Sequence, residues 1–92
     1  MEKMIKLDRL EASKCSITHM GTKIFQSIKL SSISFLDLGL NDIGNKGVKN
    51  LRNMPYLKIL KLASCSISKE GVEYLAKYNS TVEQLYLSNI QN

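Results

Sequence analysis

The sequence has no tryptophan, one proline, one histidine and two cysteines among its 92 residues. No apolar run approaches the length that spans a bilayer. The amino-terminal stretch MEKMIKLDRLEA lacks the uninterrupted apolar segment of a signal peptide. We therefore expect an intracellular, cytoplasmic protein with no membrane segment. Delivery into a host cell would also fit if the source were a bacterium.

Motifs that carry enzyme chemistry are also missing. The sequence contains no glycine-rich phosphate loop, no HExxH, no CxxC and no serine elbow between glycines. The single histidine, His19, has no neighbouring cluster of carboxylates or thiols, which is typical of a solvated turn residue. We expect no catalytic residue, no metal and no cofactor.

The net charge of +5 is spread along the chain, and no run of basic residues exceeds two. Nucleic acid is therefore an unlikely partner. It stays open as the weaker alternative, because Lys58, Lys61 and Tyr86 would suit a phosphate and a base. Binding that falls steeply with salt would favour this alternative.

What the sequence does have is a repeat. Its clearest copy places apolar residues and a cysteine at Leu57, Leu60, Leu62, Cys65 and Ile67. Shifted back by 24 residues the pattern becomes Ile33, Leu36, Leu38, Asn41 and Ile43. A looser copy stands at Leu7, Leu10, Ala12, Cys15 and Ile17, and a last one begins at Val82, Leu85, Leu87 and Ile90. Such a period indicates a repeat protein. We predict one domain over residues 1–92, with repeats at about 7–32, 33–56 and 57–81 and a partial repeat at 82–92.

Each repeat predicts a short strand, a turn and a helix. The strands are expected at Leu7–Ala12, Ile33–Leu38 and Val82–Leu87, with the third repeat following the same pattern. The helix starts carry residues favoured at an N-cap, namely Thr18, Gly44 and Ser68. The first helix would carry Met20, Ile24, Phe25 and Ile28, and the second, Asn45–Asn53, would bury Val48, Leu51 and Met54. Met1–Lys6 would cap the first repeat.

Two side chains in the turns lead to specific expectations. Asn41 should point inward and form hydrogen bonds with backbone groups of the turn. Cys15 and Cys65 hold the same position two repeats apart, which places them roughly 10 Å apart at the usual strand spacing. We expect both to be free, buried thiols, because a disulfide requires a shorter distance.

The motifs IxxLxLxxNxI at Ile33–Ile43 and LxxLxLxxCxI at Leu57–Ile67 resemble leucine-rich repeat proteins. The segment Gly71–Leu75 resembles the ribonuclease-inhibitor-like and bacterial GALA-type subclasses. The resemblance implies an α/β solenoid with about four short parallel strands on the concave face and about three helices on the convex face. It also implies a non-catalytic scaffold or adaptor that binds other proteins.

Alternation of side chains along each strand predicts three columns on the concave face. The columns are Asp8, Ser34, Lys58 and Glu83; Arg9, Phe35, Ile59 and Gln84; and Glu11, Asp37, Lys61 and Tyr86. Phe35, Ile59, Leu40 and Tyr86 are expected to be exposed side by side within a charged rim. The predicted partner-binding residues are Phe35, Asp37, Leu40, Lys58, Ile59, Lys61 and Tyr86.

Two other interpretations of this face are open. In the first, Phe35 and Ile59 only pack against each other and stabilise the sheet. Glu11 and Asp37 form a pair of carboxylates, but on an open sheet they are more typical of a solvated rim than of acid–base catalysis.

The carboxyl-terminal edge is the second predicted interface. Leu85, Leu87 and Ile90 have no following repeat to cover them, and open edges attract partners. Three explanations stay open: an end-to-end homodimer, docking on another subunit of a larger assembly, or a fragment of a longer repeat array.

Overall fold

Short strands alternate with helical segments along the chain. The structure, a computed structural model, describes residues 8–26, 32–52 and 54–88. Its strands are β1 (Arg9–Glu11), β2 (Phe35–Asp37), β3 (Ile59–Lys61) and β4 (Gln84–Tyr86). Its helical segments are a 3₁₀-helix at Gly21–Gln26, helix α1 (Gly44–Val48) continued by a 3₁₀-helix at Lys49–Leu51, and helix α2 (Lys69–Tyr78).

The four strands form one parallel sheet in the order β1-β2-β3-β4. Its register pairs Leu10 with Leu36, Leu36 with Leu60, and Leu60 with Leu85. With α1 and its continuation taken as one segment, three helical segments accompany the sheet. The predicted α/β leucine-rich repeat architecture is therefore confirmed.

The strands are shorter than predicted, at three residues each. The chain leaves extended geometry soon after each of the first three strands, because Lys14, Leu40 and Ser64 all adopt positive φ angles, between 54° and 60°. Backbone hydrogen bonds between repeats nevertheless continue into these turns. Leu40 N–H, for example, donates to the Ala63 carbonyl at 2.9 Å. The repeats thus stay in register beyond the strands.

The core lies beneath the middle two repeats. The side chains of Leu36, Leu38, Leu60 and Leu62 are fully buried. The turn isoleucines and the helical segments complete the core with Ile43, Ile67, Val48, Leu51, Met54 and Leu75. The predicted burial of Val48, Leu51 and Met54 is confirmed.

Asn41 joins two successive turns. Its side chain is buried, and Oδ1 accepts hydrogen bonds from the N–H groups of Cys15 and Ile17 at 2.9 and 3.0 Å. Its Nδ2 donates to the carbonyls of Ala12 and Leu38 at 2.8 and 2.9 Å. The predicted inward orientation is confirmed, and the bonds reach the preceding repeat as well as Asn41's own turn.

A glycine four residues after each turn isoleucine lets the helix approach the turn closely. A Cβ atom on Gly71 would lie 2.7 Å from Ile67 Cγ2, closer than real contacts allow. A Cβ atom on Gly47 would overlap Ile43 Cγ2 in the same way. The isoleucine side chain therefore occupies the space that any other residue would fill at these positions.

The first repeat departs from the prediction. Its helical segment is a 3₁₀-helix, which places residues i and i+3 on one face, and only Thr22 and Phe25 are buried there. Met20 and Ile24 are 66% and 58% exposed. Cys15 is also exposed, whereas Cys65 is buried. Among the described elements, those of this repeat contact only those of the second repeat. Both cysteines are free, as predicted.

The helix starts also differ from prediction. Helix α1 begins at Gly44, whose φ is +68°, so Ile43 stands at its N-cap. Ser68 does stand at the N-cap of α2, but its side chain forms no capping hydrogen bond. Its hydroxyl oxygen instead accepts from Asn45 Nδ2 at 2.8 Å, while Ser68 N–H donates to Asn45 Oδ1 at 3.1 Å. This pair links the two helices to each other.

The following predicted features lie outside the described residues: the cap at Met1–Lys6, Leu7 of the first strand, Ile28 of the first helix, Asn53 at the end of the second helix, and Ile90 of the carboxyl-terminal edge. Among the helices of residues 8–26, 32–52 and 54–88, none combines the length and apolar character needed to cross a bilayer.

Candidate functional site

Two of the predicted side-chain columns follow directly from the sheet register. Arg9, Phe35, Ile59 and Gln84 lie side by side across the four strands. Glu11, Asp37, Lys61 and Tyr86 form a second row two residues further along. In each strand the residue between these two rows is a leucine, and the leucines of β2 and β3 are fully buried. The two rows therefore share the open face of the sheet, opposite the core.

Cations and aromatic rings alternate across this face. The Arg9 guanidinium carbon lies 3.8 Å from the centre of the Phe35 ring. Lys61 Nζ lies 5.4 Å from the same ring and 5.1 Å from the ring of Tyr86. We call Arg9, Phe35, Lys61 and Tyr86 the cation–aromatic ladder. It spans all four strands, with one member on each.

The ladder corrects the prediction of a bare apolar patch. Phe35 and Ile59 are only partly exposed. The more exposed apolar side chains of this region are Leu40 and Tyr86, at 52% and 48%. Phe35 is covered in part because a guanidinium gains free energy by lying over the face of a ring, about 0.5–1 kcal/mol at an exposed site. On this surface, cationic side chains lie over the aromatic rings.

The charged residues on and beside the ladder differ in whether they have a partner of opposite charge or a hydrogen-bond partner. Arg9 also forms a 2.8 Å ion pair with Glu11, and Asp37 Oδ1 accepts a hydrogen bond from Gly39 N–H at 2.9 Å. Lys58 is exposed, and neither Lys58 nor Lys61 has a carboxylate within ion-pair distance in the part of the chain that the structure describes. The charges of these two lysines, near the centre of the sheet, are therefore not neutralised by a carboxylate of the described residues.

The paired carboxylates Glu11 and Asp37 are register neighbours, as predicted. Each already has a partner, Glu11 the guanidinium of Arg9 and Asp37 the backbone of its own turn. Within residues 8–26, 32–52 and 54–88, no group of three or more histidine, cysteine or acidic side chains is placed to hold a metal ion. Both carboxylates of the predicted pair are therefore engaged by groups of this chain.

The carboxyl-terminal edge differs from the interior of the sheet. Leu85 of β4 is 39% exposed, although its register partner Leu60 is fully buried. Leu87 is half-buried, whereas Leu62 at the equivalent position of the third repeat is fully buried. The third predicted edge residue, Ile90, lies outside the described residues. Among those residues, β4 pairs with β3 alone.

Sequence reasoning placed all seven predicted residues on or beside one face but missed the role of Arg9. Arg9 was given no role among the predicted partner-binding residues, and the structure shows its guanidinium over the Phe35 ring. The signal was present, because Arg9 and Phe35 occupy the same column. The diagonal contact of Lys61 with Phe35 could be found from spacing too, since diagonal neighbours in a sheet lie within reach of long side chains.

Comparison with known proteins identifies the repeat. The family model described as "Leucine Rich repeat" matches residues 29–51 and 53–76, which together make up just over half of the chain. The matched segments contain β2, α1, β3 and most of α2. No curated protein matches the chain as a relative.

Proposed function

The chain belongs to the leucine-rich repeat family, and on that premise we propose that it is a non-catalytic interaction module that binds a protein partner through the open face of its sheet. Repeats of this family generally mediate contacts between proteins, and the family is typically not enzymatic. The single observation that carries the proposal is the cation–aromatic ladder, with Leu40 and Ile59 beside it.

The composition of this face suits a protein partner. Aromatic residues and arginine are enriched where protein interfaces concentrate their binding free energy. Strands about 4.8 Å apart give a ladder roughly 15 Å long, enough to contact a loop or a short segment of another protein. Lys58 and Lys61 add unpaired positive charge, which favours a partner with an acidic group next to an apolar one.

The test is the double substitution Phe35→Ala with Ile59→Lys. Both side chains are partly exposed, and the fully buried leucines between them stay unchanged, so the variant should keep its far-UV circular dichroism spectrum. Proteins captured from a lysate by the wild-type chain should be lost with the variant. Their affinity, measured by calorimetry, should fall by about a hundredfold, as is usual when central interface residues are removed. Lys46→Ala, on the exposed side of α1, is the control and should retain every partner.

The proposal fails if a folded double variant captures the same proteins with unchanged affinity. Should the double variant unfold, Tyr86→Ala takes its place, because Tyr86 is 48% exposed on the edge strand. The salt dependence of binding distinguishes a protein partner from the nucleic-acid alternative. Affinity for a protein partner should change little with added salt, while a phosphate backbone would give a steep decline.

A second candidate function rests on the carboxyl-terminal edge. The exposure of Leu85 opposite the buried Leu60 supports a small structural subunit that docks through β4, in a homodimer or in a larger assembly, with or without nucleic acid. Sedimentation at several protein concentrations, with wild type and Leu85→Arg, tests this. A self-associated species that becomes monomeric in the variant favours it, and a wild-type monomer at all concentrations excludes the homodimer.

We also propose a subclass of leucine-rich repeat for this chain. We place the chain with the ribonuclease-inhibitor-like or GALA-type repeats, whose backs are helical. Support comes from α2, a full α-helix of ten residues that follows β3.

A further inference from the structure

Charge is sorted between the two sides of the molecule, although it looks diffuse along the sequence. The two rows of the open face carry two basic and two acidic residues: Arg9 and Lys61 against Glu11 and Asp37. The helical segments, with the adjoining Arg52, carry six basic and two acidic residues: Lys23, Lys46, Lys49, Arg52, Lys69 and Lys77 against Glu70 and Glu73. The positive charge of the described residues is therefore concentrated on the helical side.

A groove of about 700 Å³ runs along this helical side, between α2 and the 3₁₀-helices of the two preceding repeats. Its volume falls in the range of binding clefts. Basic side chains in its lining come from two repeats: Lys49 and Arg52 from the second, Lys77 from the third. The repeat stacking thus brings together cations that are far apart in the sequence.

Two tyrosines supply an aromatic surface inside the groove. The rings of Tyr74 and Tyr78 have centres 4.5 Å apart and planes inclined by 40°. Lys77 Nζ lies 5.3 Å from the Tyr78 ring centre, and Lys49 Nζ lies 5.9 Å from that of Tyr74. Tyr78 is 45% exposed, so its ring is accessible to a ligand.

The cations of the groove are mostly unneutralised. Lys49 has one acidic partner, Glu70, at the long distance of 3.9 Å between exposed side chains. In the part of the chain that the structure describes, Arg52 and Lys77 have no carboxylate within ion-pair distance. Arginine offers a planar pair of donors that matches a carboxylate, and a cation next to an aromatic ring favours a ligand that combines charge with an apolar group.

From this arrangement we propose that the groove is a second binding site, which takes a short acidic segment of a protein. Carboxylates of the segment pair with Arg52 and Lys77, and an apolar side chain between them lies on the Tyr74–Tyr78 pair. The acidic residues Glu70 and Glu73 in the lining distinguish a peptide from a nucleic acid. They repel a continuous row of phosphates, whereas a peptide can place an uncharged residue or a backbone N–H beside them.

This site is separate from the open face of the sheet, and the two proposals do not depend on each other. A partner bound to the cation–aromatic ladder leaves the groove accessible, because the groove lies on the helical side. The protein would then join two partners, or hold one partner at two places.

The experiment measures fluorescence anisotropy of the full chain with a labelled peptide of glutamates interspersed with leucines as the probe. Arg52→Glu with Lys77→Glu reverses two charges in the groove. The matched control, Lys46→Glu with Lys69→Glu, reverses two charges on exposed helix positions outside the lining. The groove variant should bind the probe about tenfold more weakly or worse, since two exposed ion pairs are lost and repulsion replaces them. The control should stay within about twofold.

Three results would overturn the proposal. One is an equal loss in both double variants, which indicates general attraction to the positive surface. Another is tighter binding of an oligouridylate of the same charge, with the same dependence on Arg52 and Lys77. The third is the absence of saturable binding to wild type. If the groove variant loses its circular dichroism spectrum, Arg52→Gln with Lys77→Gln is used in its place. Phe35→Ala should leave probe binding unchanged, so failure of the groove and failure of the open-face proposal are distinguishable.

Discussion

Replacing Asn41 with leucine should lower the free energy of unfolding by about 3 kcal/mol. The Asn41 side chain is 2% exposed and forms hydrogen bonds with the turns of two repeats. Leucine has the same number of side-chain heavy atoms with the same branching, so the expected loss comes from hydrogen bonding and little from a cavity. The substitution leaves two backbone donors, at Cys15 and Ile17, and three carbonyls, at Ala12, Leu38 and Gly39, without this partner.

The magnitude follows from how far water can replace the lost amide. An orphaned buried group costs about 1–3 kcal/mol. Cys15 is exposed and Ile17 half-buried, so water partly satisfies their N–H groups, and we take about 1 kcal/mol for each. Carbonyls tolerate the loss better, and together they add about another 1 kcal/mol.

Asn41→Cys should lower the free energy of unfolding by less, about 2 kcal/mol, because a thiol can still donate a weak hydrogen bond. In the next repeat Cys65 occupies the position equivalent to Asn41, and its Sγ lies 3.1 Å from the Leu38 carbonyl.

The assay is urea unfolding followed by far-UV circular dichroism, with linear extrapolation to water. For a chain of this size, about 3 kcal/mol corresponds to a fall in Tm of roughly 12–24 °C. Asp42→Leu is the control, because the neighbouring Asp42 is exposed, and it should change stability by less than about 0.5 kcal/mol. A loss for Asn41→Leu below about 1 kcal/mol, or no larger than that of Asp42→Leu, would refute the reasoning.

Three further predictions concern residues of the turns. Leu40 has a φ of +60° and is 52% exposed, so Leu40→Asn should raise stability by about 1 kcal/mol, while Leu40→Ala should not. An unchanged or lower urea midpoint for Leu40→Asn would contradict this. Burial raises the pKa of the Cys65 thiol, with the charge of Asp37 acting in the same direction. The folded chain therefore holds the thiol proton more tightly than the unfolded chain, and this stabilisation, complete at neutral pH, is lost as pH rises through and above the ordinary thiol range. Cys65→Ala should reduce that decline, and an unchanged slope would argue against the assignment. At neutral pH a thiol reagent should modify the exposed Cys15 quickly and Cys65 only after unfolding.

Much of the fold was predictable because the repeat imposes it. Leucines two residues apart, recurring at an almost constant period, specify which side of each short strand is buried. Stacking equivalent positions then gave the register in which Phe35 pairs with Ile59 and Asp37 with Lys61, as the structure shows. The inward side chain of Asn41 followed from the same argument.

The predictions were weakest where neighbours outside the repeat pattern matter. Equivalence between repeats suggested that Cys15 is buried like Cys65, but burial depends on cover from both sides. The first helix was expected to carry Met20, Ile24 and Phe25 as its apolar residues, and the 3₁₀ geometry turns only Thr22 and Phe25 inward. The N-cap at Ser68 was correct in position, while its hydroxyl is used by Asn45 from another helix.

The amino-acid sequence by itself determined the repeat, the parallel sheet, its register and the residues that share its open face, because these depend on spacing along the chain. Only the tertiary structure decided how that face is presented. Arg9 and Lys61 lie over aromatic rings, so the surface is a ladder of cations and rings instead of a bare apolar patch. It also decided that Arg52, Lys77 and the Tyr74–Tyr78 pair share one groove. Such arrangements depend on the directions and lengths of side chains from different repeats, which the spacing of residues does not specify.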